Sequence, residues 1–263
     1  MFRFYSLLCS LVLLLAFGLG NNVAMASAGT AVGVDPQATA RTGGDSRTLV
    51  VGADLFLGDV VTTGASGEVQ VLFEDSTRLV VGPGSSLTIE DYLLRADGSP
   101  GKLAVNALAG TFRFITGNAA KDRYLIKTPT GKIGVRGTAF DFSVTPQVTT
   151  ILLHHGAIIA CNLDDECIAL SQTCELGQYG LGDAFVIGHA DAVKGAARDT
   201  LKSMFVYAAN QNGLLREFRV PGSESLPRGA RLRAHHRHRP ADAGPARQPG
   251  QPAGRCAGRA GRR

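Results

Sequence analysis

The stretch TPTGKIGVRGTAF, residues 128–140, holds a single arginine, Arg136, between Gly134 and Gly137 in a strand-like pattern. An arginine so placed can act as a catalytic cation, clamp an anion, or satisfy carbonyls at a structural corner. Other chemistry-bearing groups are sparse. His154 and His155 end an apolar strand, but neighbours on a strand face opposite sides, so at most one can enter a given site. Asp164, Asp165 and Glu166 offer calcium-type oxygens, yet a three-acid run between cysteine-bearing strands reads first as a solvated hairpin loop. Ser76, Ser85 and Ser171 lack a nucleophile-elbow context. The run His235-His236-Arg237-His238 can hold a transition metal only weakly, because its arginines repel a divalent cation. The quoted stretch is not a phosphate loop either, since Ile126 stands where the first glycine belongs and Ile133 follows Lys132. No nucleophile, base and orienter fall in phase. The chain is therefore read as a non-enzyme with no cofactor and no metal.

Cysteine chemistry is the one covalent signal. Cys161, Cys167 and Cys174 are separated by five and six intervening residues, unlike the tight ligand pairs of zinc sites. A local disulfide closing a small β-loop is expected, from Cys161 to either Cys167 or Cys174, and spacing alone does not choose between them.

The elements that must position these groups are β-strands. Val69, Val71 and Phe73 alternate with polar residues, Glu74-Asp75-Ser76-Thr77 reads as a turn, and Leu79 and Val81 restore the apolar face. Gly82-Pro83-Gly84-Ser85 breaks the chain again before Leu87 and Ile89. About a dozen such runs recur from residue 48 onward, which predicts a mainly β fold of stacked short strands. A solenoid (β-helix-like) stack is one arrangement and a β-sandwich the alternative. After Gly188, Val193, Ala197, Leu201, Phe205 and Ala208 recur at helical spacing, so one C-terminal amphipathic helix is expected from Ala192 to about Gln211, capped by Asp191.

Around Arg136 the apolar parity changes. Ile133 and Val135 are odd-numbered; Phe140, Phe142 and Val144 are even. A strand cannot switch faces without an extra residue or a bend, so a bulge is expected at Gly137-Thr138-Ala139. On that reading Arg136 is structural, pairing with carbonyls or with Asp141, and both Arg136→Ala and Gly137→Val should lower the stability of the domain.

The segment YLIKTPTGKIGVRGTAFDFSV resembles the signature of FecR-type domains: an apolar strand, Thr128-Pro129, a short turn, Val-Arg136-Gly137-Thr138, then Phe140 and a further strand. Upstream, LGDVVTTGASGEVQVLFEDSTRLVVGPGSSLTI is similar to the opening of that domain, and LAGTFRFITG to its Gly-X-Phe-Arg-Phe strand. The resemblance covers about residues 55–160. It implies a periplasmic β-domain that takes part in protein recognition or signalling without catalysis.

The organisation expected is a signal peptide at 1–26, a linker at 27–47, a FecR-like β-domain at 48–188, a helical extension at 189–215 and a basic disordered tail at 216–263. The leader combines Arg3, the apolar run Leu7–Leu19 and the small residues AMASA, which points to export into the periplasm or beyond; an uncleaved anchor is the alternative. With the β-domain following so closely, no cytoplasmic anti-sigma segment is expected. The formal charge of +5 belongs to the tail, where 12 Arg and 3 acids follow residue 215 and leave 15 basic and 19 acidic residues before it. The folded part is thus acidic, and no specific nucleic-acid binding is expected. The tail is either an unselected extension or a tether to anionic envelope polymers or lipids. The partner expected is an envelope protein; a structural or adhesive scaffold is the alternative role.

Overall fold

The computed structural model describes residues 27–94, 100–118 and 123–222. The expected signal peptide, and the expected tail from Ser223 on, lie outside them. The described chain is mainly β, a 15-stranded mixed sheet folded over on itself into two facing halves.

One half runs β3 (Asp45–Thr48), β2 (Ala38–Thr42), β5 (Val60–Thr63), β8 (Ser86–Leu94), the first part of β9 (Pro100–Ile115), β10 (Tyr124–Thr128), then the first part of β11 (Gly131–Val144). The last part of β12 (Val148–Asn162) and β13 (Cys167–Leu170) complete it. The other half runs β4 (Asp54–Phe56), β1 (Ser27–Asp35), β6 (Glu68–Phe73), β7 (Arg78–Val81), the last part of β9, the last part of β11 and the first part of β12. It ends with β14 (Glu175–Gly180) and β15 (Ala184–His189). β9 and β10 run parallel, with Tyr124 beside Leu103 and Lys127 beside Asn106. Of the two stackings left open by the sequence, the pairing gives the sandwich-like one.

Three long strands, β9, β11 and β12, belong to both halves and carry the fold-over. Each changes its buried parity at a glycine with positive φ. In β9, Leu103, Val105 and Ala107 face the core before Gly110 (φ 111°), and Phe112 and Phe114 after it. In β11 the change falls at Gly137 (φ 65°), and in β12 at Gly156 (φ 91°), between Leu153 and Ile158. Glycine alone adopts such a φ without strain. The register between β11 and β12 shifts between Arg136 and Ala139 as the pair rounds this corner.

The core lies between the halves, filled from both. Phe73 of one half meets Tyr92 of the other at 6.0 Å between ring centroids, and Phe114 meets Tyr124 edge-on at 5.8 Å. Residues 27–47, expected to be a linker, are instead sheet. Ser27–Asp35 pairs with both β4 and β6, and Ala28, Ala31, Ala38 and Ala40 are buried. Alanines and glycines give little hydropathic contrast, which is why periodicity missed these strands.

After β15 the chain crosses the outer face of the second half as a strap. The single helix expected from Ala192 to Gln211 is replaced by a 3-10 turn at Ala190–Ala192, α1 (Ala196–Met204) and α2 (Val206–Ala209). Gly195, not Asp191, stands at the start of α1, and the helix breaks at Phe205 (φ −114°, ψ 68°). The break has a packing reason. Phe205 and Ala208 pack with Leu152 and Leu176, while Tyr207 packs with Val80, Leu214 and Phe218. One straight helix cannot aim Phe205 and Tyr207 at the same sheet, because residues two apart point away from each other. The strap extends past residue 215, with Phe218 and Val220 buried, so the expected tail boundary at 216 falls inside packed structure.

The corner yields a prediction. A Cβ added at Gly156 would sit 2.2 Å from the Gly137 carbonyl oxygen, at a φ that L-residues rarely adopt. Gly156→Ala should lower unfolding free energy by more than about 2 kcal/mol, measured by urea titration.

Candidate functional site

Two groups of polar residues stand out, one sealed and one open. The sealed group begins with two reciprocal triplets, Phe112-Arg113-Phe114 in β9 and Phe140-Asp141-Phe142 in β11. They pair in register, Phe112 with Phe142, Arg113 with Asp141, Phe114 with Phe140. The phenylalanines enter the core, where Phe112 and Phe142 stack at 4.9 Å. The charged residues face outward and are nonetheless fully buried, because the strap covers them. Arg113 donates from Nε to Asp141 Oδ1 at 2.6 Å and from Nη2 to Oδ2 at 2.9 Å, and its Nη1 donates to the Gln211 side-chain oxygen of the strap. His154 Nε2 lies 3.1 Å from Asp141 Oδ2, and the Tyr207 ring lies 5.6 Å from the guanidinium carbon. Burial alone would raise the Asp141 carboxyl; the Arg113 charge, with His154 beside it, outweighs that and holds it well below the usual carboxylate range.

Two further buried carboxylates anchor the turns. Asp75 accepts from Tyr124 Oη at 2.8 Å and from Thr77 Oγ1 at 2.7 Å, while its own N–H donates to Tyr92 Oη at 3.1 Å, tying the β6–β7 turn to the opposite half. Burial, then the Asp75 charge, pushes the Tyr92 hydroxyl up to about 12. Asp59 accepts from Arg47, Thr42 and the Phe56 N–H, closing the Gly58-Asp59 corner.

The open group lies on the outer face of the first half. Gly134 pairs with Ile159 and Arg136 with Ala157, and Ile159 pairs in turn with Ala169. Gly134, Ala157 and Ala169 are small, so the strands leave a groove of about 620 Å³ that also reaches Tyr124 and Ser171. Ile159 stands 59% exposed in it. Arg136 is exposed at its rim and makes no hydrogen bond or ion pair among the described residues.

The remaining singled-out residues have structural surroundings. Thr128 Oγ1 lies 3.0 Å from Tyr179 Oη, and beyond the Pro129–Thr130 turn Thr130 Oγ1 lies 2.8 Å from Thr149 Oγ1. The Thr138 N–H donates to Thr116 Oγ1 at 2.9 Å, and Phe140 is fully buried. Arg136 does not take the partner expected of it, because Asp141 is turned to the other half's outer face and occupied by Arg113. Its loss is therefore not expected to unfold the domain. Cys161 and Cys167 face each other across β12 and β13 and are disulfide-bonded; Cys174 is buried before β14. His154 joins the sealed cluster and His155 is exposed, so the two histidines do not share a site. In the Asp164–Glu166 loop, Asp165 accepts from Lys132 and Glu166 from Asn162, so the acids do not converge.

Residues 59–158 match the family described as FecR protein. This segment is similar to FecR domains. The FecR match starts at buried Asp59 and ends at Ile158, so it holds the three corner glycines, the Arg113–Asp141 pair and most of the groove. The strands β1–β4, β13–β15 and the strap lie outside it and complete both halves of the sheet. Two solved structures of candidate anti-sigma factors from Parabacteroides distasonis ATCC 8503 share 12% identity with the chain, at TM-scores of 0.40 and 0.39. The similarity covers 54% and 55% of this chain and 62% and 63% of theirs, less than two thirds of those chains. No curated protein matches. Among the described residues, no helix is long and apolar enough to cross a membrane.

Arg113 and Gln211 escaped the sequence reading. A polar residue between two apolar ones reads as the solvent face of a strand, and only the strap, far along the chain, buries it. The available signal was the mirrored pair Phe-Arg-Phe and Phe-Asp-Phe.

The sealed cluster sets a pH dependence. The folded protein keeps Asp141 ionised to lower pH than the unfolded chain does, so its contribution is full above about pH 4 and drains away as the pH falls further. Asp141→Asn should cost about 3–5 kcal/mol at neutral pH by leaving Arg113 buried and unpaired. The gap between variant and parent, read by denaturant titration, should narrow at pH 3.

Proposed function

We propose that the chain is a non-catalytic recognition domain of a regulatory or signalling system at the cell envelope, and that it binds a protein partner through the groove beside Arg136. The observation that carries this reading is the contrast between the two arginines. Arg113 has all three guanidinium nitrogens engaged and is fully buried, so it belongs to the fold. Arg136 is free, exposed, and stands beside an apolar channel on a rigid sheet, where a guanidinium recognises a carboxylate. Groups that serve catalysis must meet a substrate, and the dense ionisable cluster around Arg113, Asp141 and His154 is closed under the strap.

The groove suits an extended peptide segment with an apolar residue for Ile159 and an acidic group for Arg136. The leader-like sequence before Ser27 supports a periplasmic or secreted location. The Cys161–Cys167 bond fits the oxidising compartment such export reaches.

Affinity capture from envelope extracts, with parent and variants as bait, tests the proposal. Arg136→Ala should change stability by no more than about 0.5 kcal/mol, as expected for an unpartnered surface residue. It should weaken partner binding about tenfold, the scale of one central interface side chain. A partner retained equally by Arg136→Ala and Ile159→Asp would place recognition elsewhere.

A further inference from the structure

The second half of the sheet ends at β15, which pairs only with β14, so its outer edge carries backbone groups that no described strand satisfies. Its central side chains are also uncovered. Phe185, Val186 and Ile187 are 46%, 43% and 44% exposed, and Leu181 in the preceding turn is 66% exposed. Consecutive strand residues point to opposite faces, so Phe185–Ile187 are exposed on both, while Ala184 packs against the core and β13 runs close by. Soluble proteins ordinarily blunt such an edge with lysine, proline or cover, and Ala184–Ile187 contains neither residue. The strand's ionisable side chains sit only at its two ends, Asp183 before it and His189 closing it.

That placement is self-complementary. If two copies of Asp183–His189 run antiparallel about a twofold axis through Val186, Asp183 of each meets the partner's His189. Ala184 then faces Gly188, Phe185 faces Ile187, and Val186 faces itself. We propose that the chain forms a homodimer by antiparallel pairing of β15 with its copy, joining the two second halves into one continuous sheet. The acid and the imidazole at opposite ends of the strand select the antiparallel register. In the parallel arrangement Asp183 would meet Asp183 and His189 would meet His189, with no such attraction.

The contact is isologous and closes after two copies, so it leads to a dimer and not to a filament. It is also small. A pair of short strands buries less than the roughly 1,600 Å² of a standard interface, and the extra residue at Ile187, where the β14 register shifts, limits its length. A reversible association with Kd on the order of 10 μM is expected.

Sedimentation velocity of the purified chain, from about 1 to about 100 μM, reads this directly. The parent should pass from monomer to dimer across that range. Val186→Lys, which sets two ammonium groups opposite each other at the axis, should remain monomeric throughout. Asp183→Lys and His189→Asp should each raise the dimer Kd about tenfold, and the double exchange Asp183→Lys/His189→Asp should return it to within about threefold of the parent. All three positions are exposed, so the variants should keep the parent's circular dichroism and melting temperature. A parent that stays monomeric, one that forms assemblies larger than two, or a dimer indifferent to Val186→Lys would each overturn the proposal. So would failure of the double exchange to restore a dimer that the single exchanges weaken.

Discussion

The Arg113–Asp141 pair is the interaction on which the rest of the structure leans. Taking two charges out of water costs several kcal/mol per ion, and the attraction between them repays this only with good geometry and satisfied donors. Both conditions hold: two nitrogens of Arg113 meet the two oxygens of Asp141, a third meets Gln211, and His154 contacts the carboxylate. Such a pair adds little net stability over a well-packed apolar one, but it makes errors expensive. Sliding β9 by one residue against β11 would set Arg113 opposite a phenylalanine and turn the neighbouring aromatics out of the core. The pair therefore fixes the register of the central strands, and through Gln211 it fixes where the strap must lie.

The fold-over depends on the same strands. β9, β11 and β12 each serve two facing layers, so each must present one parity to the core before the corner and the other after it. Gly110, Gly137 and Gly156 make that change possible where the backbones crowd; the Gly156 Cα hydrogen occupies the space a side chain would need beside the Gly137 carbonyl. Asp75 then clamps the layers from the far side through Tyr92 and Tyr124. Charged and aromatic groups thus act together, the carboxylates at the turns and the rings between the sheets.

Some of this was readable in the sequence and some was not, for identifiable reasons. The parity change at Gly137 is a local property of a single strand, and the residues around it announce a bend. The same change occurs in β9 across Leu108-Ala109-Gly110, but small residues blur it there. The strands of 27–47 carry alanine where a hydropathy reading looks for valine or leucine. The open side of the groove is equally local, since Gly134, Ala157 and Ala169 are small by composition, yet their alignment depends on three strands meeting in register. The burial of Arg113 is not local at all. It is imposed by Gln211 and Tyr207, nearly a hundred residues further on, and nothing within the Phe-Arg-Phe triplet reports it.

The two outer faces of the sandwich therefore have different fates, and this constrains where recognition can occur. The second half has surrendered its face to the strap: Leu152, Leu176, Val80 and Ile115 are spent on Phe205, Tyr207, Phe218 and Val220. A partner could reach that face only by displacing the strap, which would expose Arg113 and Asp141 with their strap contacts broken. The first half keeps its face bare between β11 and β13, with an uncommitted guanidinium and an exposed isoleucine at its centre. A partner docking there disturbs no buried charge and meets strands held rigid by the corner and by the Cys161–Cys167 bond. Cost and access both favour the first half's groove, so the arginine that looked structural in sequence is the one left available for binding.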